Sequence, residues 1–282
     1  MRGAKICTIL IFLSTILISL CTFAQSSTSE DYRFSIQISA GSSFPLGSFS
    51  NSGPGQTLTN TLLLPPGTSV GSQDLQHRKD EAGFAVLGYQ AEVRLSYHYD
   101  PAITLSAFGA YSHYGVDLDQ MQDFWNDRYT GRTSVPSYVH DPYNIYGLGL
   151  GGTYRVPVGA MTFRFGLDAG LAYTQLPYWR VEILRADGFY TFWGPVQPDL
   201  RSPAPLEQFP RVFAPLFGGS ISLSRDFGRF SASFTTQLRY ASFKFDAANS
   251  AYPGSSVILE PYEDRLKVTS LNIMLGLSYA LK

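Results

Sequence analysis

The sequence predicts an all-β chain, a transmembrane antiparallel up-and-down β-barrel of eight strands with long extracellular loops and short periplasmic turns. Three observations predict it. Apolar and polar side chains alternate every second residue in eight segments, long and short connections take turns between them, and tyrosines gather at both ends of the apolar faces. A period of two places alternate side chains on opposite faces of a strand. A membrane barrel turns its apolar face to lipid and its polar face inward.

The clearest segment is Met161–Thr174. Met161, Phe163, Phe165, Leu167, Ala169, Leu171 and Tyr173 share one face, and Thr162, Arg164, Gly166, Asp168, Gly170 and Thr174 share the other. In chain order the eight segments are 33–41, 84–99, 103–114, 145–156, 161–174, 213–223, 229–241 and 270–281. Each meets or approaches the ~9–11 residues that a tilted strand needs to cross a bilayer. The second sets Ala85, Leu87, Tyr89, Ala91, Val93, Leu95, Tyr97 and Tyr99 against Gly88, Gln90, Glu92, Arg94, Ser96 and His98. Phe108 breaks the alternation of the third, and Pro215 in the sixth suits a strand end or a bulge.

Asp100-Pro101, 157–160 and 226–228 read as tight turns. The stretches 43–82, 116–143, 176–210 and 243–263 read as long loops, too long for a compact water-soluble domain. Their order puts both ends of the barrel domain on the short-turn side. Outward tyrosines then fall into two belts. Tyr97, Tyr99, Tyr154 and Tyr279 lie at the turn end, and Tyr89, Tyr111, Tyr146, Tyr173 and Tyr240 lie towards the loops.

Residues 1–24 read as a cleaved signal peptide, with Arg2 and Lys5, an apolar run from Ile6 to Leu20 and Thr22-Phe23-Ala24 before the cut, leaving 25–282 as the barrel domain. A retained helix and a lipoprotein signal at Cys21 are the competing readings, the latter opposed by Leu20. Cys7 and Cys21 both lie in that leader, so the mature domain has no thiol for a disulfide, a metal or a nucleophile. With 21 basic and 22 acidic side chains overall, the charge balance offers nothing to nucleic acid.

Polar residues predicted inside the barrel are Gln90, Glu92, Arg94, Arg155, Arg164, Asp168, Gln237, Arg239 and Asn272, with Gln37 and His98. Eight strands leave a lumen that side chains fill. Charges there need partners, and a structural network is the favoured reading over a constricted pore. Ser112 and His113 are a weak nucleophile–base candidate, because neighbours in a strand point to opposite faces. Asp117, Asp119, Asp123 and Asp127 lack the spacing of a calcium loop, and no metal or cofactor is expected. Tyr178–Leu184 and Phe189–Trp193 read as a hairpin above the membrane. Its insertion would make ten strands, which Arg180 and Glu182 oppose. Trp125, Tyr178, Trp179, Phe189 and Trp193 form a candidate binding surface on the loops, with packing of loop on loop as the alternative. Arg265 and Lys267 are placed to meet lipid phosphates.

The chain resembles the small outer-membrane β-barrel proteins of Gram-negative bacteria, especially the Bacteroidota type. The first strand runs into a Pro-x-Gly-x-Phe-like segment, here Gly41-Ser42-Ser43-Phe44-Pro45-Leu46-Gly47-Ser48-Phe49. The resemblance implies residence in the outer membrane, contact with its lipid and lipopolysaccharide, and insertion by the barrel-assembly machinery. Barrels of the type usually end on an aromatic residue, whereas here Tyr279 is inset and Lys282 comes last. The expected role is non-enzymatic, structural or surface-binding through the loops, towards a surface ligand or envelope protein. A narrow channel for small solutes and a lipid-modifying enzyme are the competing classes.

Overall fold

The computed structural model describes residues 33–50, 84–119, 137–185, 188–196, 210–250 and 262–281. Residues 1–24, expected to be a signal peptide, and Trp125, Asp123 and Asp127 lie outside these residues. Eleven strands are present among them: β1 (Phe34–Leu46), β2 (Ala85–His98), β3 (Ile103–Val116), β4 (Ser137–His140), β5 (Tyr143–Val158), β6 (Met161–Gln175), β7 (Trp179–Arg185), β8 (Gly188–Val196), β9 (Arg211–Phe227), β10 (Phe230–Ser250) and β11 (Tyr262–Leu281).

Eight of them close an antiparallel barrel in the order β1-β2-β3-β5-β6-β9-β10-β11, with β11 pairing back onto β1 from Phe34↔Leu281 to Leu46↔Thr269. Closure leaves no open edge in the wall. The count is eight, not ten: β7 and β8 form a hairpin outside the wall, with Arg185 opposite Gly188. That hairpin joins β10 through Ala248↔Val196 and carries β4 on its other side.

The wall strands are longer than alternation alone suggests. β10 has 21 residues and β11 has 20, still paired at Ala247↔Tyr262. Both ends of the stretch read as a loop, 243–250 and 262–263, are therefore strand, continuing the β10–β11 ladder. Short turns close the other end. The Asp100 carboxylate accepts from the amides of Ala102 (2.7 Å) and Ile103 (2.6 Å). Gly159 and Gly228 take positive φ at the first loop position of two-residue hairpins, as a type II′ turn requires.

Pro215 sits within β9, not at its end. The β9–β10 ladder begins at Leu216↔Ala241, so the missing N–H falls where β9 pairs with β6 alone. A bulge in β2 between Ala85 and Gly88 turns Ala85 inward, against its expected outward side.

Candidate functional site: the filled lumen and its mouth

Outside, the barrel is apolar. Leu167 is 76% exposed, and Leu148, Leu150, Leu277 and Ile38 are also open. Rings follow one another around the loop end from Tyr89 to Tyr111, Tyr146, Tyr173 and Phe213, with centroids 5.0–6.1 Å apart. At the turn end Phe34 meets Tyr97 and Phe230 meets Tyr279. Such a surface is stable against acyl chains rather than water.

The middle of the lumen is crossed by one network. Arg94 donates through both terminal nitrogens to the two carboxylate oxygens of Asp168, at 2.9 Å each, and through Nε to Glu92 at 2.9 Å. Glu92 also accepts from Arg239. Gln237 donates to Asp168 at 3.0 Å, and Gln90 donates to Gln237 at 3.0 Å. Asn272 reaches Gln237, and Ser43 donates to Asn272. The two arginines and two carboxylates balance, so each charge of this network has a partner.

Phe108 does not break the pattern. It is an inward residue, 1% exposed, with the guanidinium carbons of Arg94 and Arg239 at 5.1 and 5.0 Å from its ring centre. Its ring occupies space left by glycine: a Cβ on Gly149 would stand 2.8 Å from the ring edge. Gly151 likewise makes room for the ion pair, since a Cβ there would collide with Asp168 Oδ1. Sequence reasoning missed Phe108; its even parity, shared with Ser106 and Ser112, was the available signal.

Towards the loops the interior changes character. Tyr114, Tyr143, Ile145, Val212, Leu216, Phe243 and Val268 are buried there, so the lumen is polar only over part of its length. Phe49 closes this layer. Gly47, at φ +61°, lets the chain leave β1 and turn over the mouth. Phe49 then packs edge-on against Tyr114 and Tyr143, at 5.0 and 5.1 Å.

Arg155 and Arg164 stand apart from the network, opposite each other near the turn end. Ser112 and His113 face opposite ways: Ser112 donates to Gln90, while a His113 ring nitrogen lies 2.9 Å from Asn144. Trp179 lies on β7, and Phe189 and Trp193 lie on β8, while half-buried Tyr178 precedes the hairpin. Among the described residues no three His, Asp or Glu side chains converge as a metal site.

No family model matches the chain, and no curated protein matches it. Fourteen chains of solved structures match. Among them is the crystal structure of Neisserial surface protein A (NspA), at TM-score 0.39 and 9% identity over 88% of this chain and 97% of that one. The eight-stranded fold rests on the chain's own closed ladder.

Proposed function

We propose that this chain is an integral outer-membrane barrel, closed to solutes, that presents a β-platform and long loops to a partner at the cell surface. The observation that carries the reading is the sheet β10-β8-β7-β4, which leaves the wall where the lumen below is filled. A filled lumen supports a scaffold rather than a channel, and the opposed directions of Ser112 and His113 weigh against acyl-transfer chemistry. Lipid and lipopolysaccharide would surround the wall, and the partner would be a surface ligand or an envelope protein.

The test uses single cysteines in the mature domain, whose natural sequence has none. Ala186→Cys, between β7 and β8, should react with a membrane-impermeant maleimide on intact cells. Ala160→Cys should react only after the outer membrane is permeabilised. The reverse pattern overturns the orientation, and steady single-channel steps from the refolded barrel overturn the closed lumen.

A further inference from the structure

The turn end of the lumen holds positive charge that the network above does not neutralise. Arg155 on β5 and Arg164 on β6 are register partners on the inner face. Like charges directly opposite on one face of a sheet repel. Each has a buried Nε with no hydrogen-bond partner, and neither makes an ion pair with a described residue. Glu92 and Asp168 are already engaged by Arg94 and Arg239. Asp226, the carboxylate whose field reaches Arg164, is exposed at the end of β9.

Beside Arg164 is a polar cavity of about 40 Å³, lined also by His98, Thr153, Ser222 and Thr235 and reaching the paired Glu92 and Arg94 of the network, with Arg155 outside the lining at the adjacent ladder position. That is room for roughly three waters, taking a water to need ~10–15 Å³ on this measure. His98 is fixed by Ser35 and Thr104, at 3.1 and 3.0 Å. Ser222 and Thr235 are hydrogen-bonded to each other at 2.9 Å.

We propose that Arg164, with the hydroxyls of Thr153, Ser222 and Thr235, binds a small oxyanion of the phosphate or sulfate class inside the turn end of the barrel, and that Arg155 adds its charge from the facing ladder position. Guanidinium donors match the oxygens of such an anion in pairs, and its charge relieves the repulsion between the two arginines. The β5–β6 and β6–β9 ladders are unbroken at this level, so the anion does not pass through the wall there. The site does not depend on what the loops contact.

The experiment measures thermal unfolding of the refolded chain in non-ionic detergent, by mobility on unboiled gels. Inorganic phosphate or sulfate replaces chloride at constant ionic strength, and glycerol 3-phosphate serves as a soluble headgroup. The wild type should show a saturable upward shift. Arg155→Gln/Arg164→Gln should fold, melt at least as high in chloride, and show no shift. Ser222→Ala should weaken apparent affinity about tenfold, the equivalent of one hydrogen bond to a charged group. A response to inorganic anions alone identifies a free ion, and a stronger response to glycerol 3-phosphate identifies a headgroup. No saturable shift in the wild type, or an equal shift in the double variant, overturns the proposal.

Discussion

Replacing Asp168 by Asn removes one charge from the middle of the lumen while keeping the side chain's shape. Asp168 accepts three hydrogen bonds, two from Arg94 and one from Gln237. An amide offers one oxygen and turns its NH2 towards a guanidinium N–H. Arg94 must then share Glu92 with Arg239, leaving two guanidinium groups on one carboxylate. Breaking a buried pair in this way costs about 3–5 kcal/mol. Counting bonds gives the same range: two charge-assisted hydrogen bonds lost at ~1.5–3 kcal/mol each come to about 3–6 kcal/mol. Urea titration of the refolded barrel, with folded fraction read from unboiled gels, measures the loss. Adding Arg94→Met should recover much of it, because the unpartnered charge leaves with its site. A loss under about 1 kcal/mol for Asp168→Asn would refute the reasoning, since it would mean that water already solvates Arg94.

Two further outcomes are expected. Phe49→Ala should lower stability by about 3–5 kcal/mol, the usual cost of emptying a buried phenylalanine site, and Phe49→Leu should retain most of it; equal urea midpoints for wild type and Phe49→Ala would remove the plug from the account. Gly170→Ala should cost about 1–3 kcal/mol, because its Cβ would run into the Leu148 carbonyl oxygen. Gly152→Ala, which meets nothing within 4 Å, is the control and should be neutral in the same titration.

Strand number and facing were legible because alternation reports directly which side of a pleat a residue takes. Gln90, Glu92, Arg94, Asp168, Gln237 and Arg239 could be assigned to the interior on that ground alone. Their partners could not, since pairing across a lumen depends on register and barrel closure. Ala85 was misplaced because a bulge adds a residue without a marker in the alternation. The length of β10 and β11 was hidden for a related reason. Towards the loops, Ala241 and Phe243 face inward with Phe245 packed against them while Ser242 and Lys244 take the other face, so the alternation continues with its polarity inverted and no longer matches the pattern of the lipid-facing segments.

That inversion is itself informative about the lumen. In the middle of the lumen Glu92 on β2 and Asp168 on β6 supply the counter-charge for Arg94 on β2 and Arg239 on β10. Nearer the loops the mouth is closed by a residue from a turn, Phe49, which has no ladder to fix its height. An apolar ring tolerates small displacements that a charge-assisted hydrogen bond does not, because dispersion contacts are many and weak while such bonds are directional. The interior therefore places its charged groups on wall strands held by continuous ladders and leaves the turn-borne closure to aromatic packing.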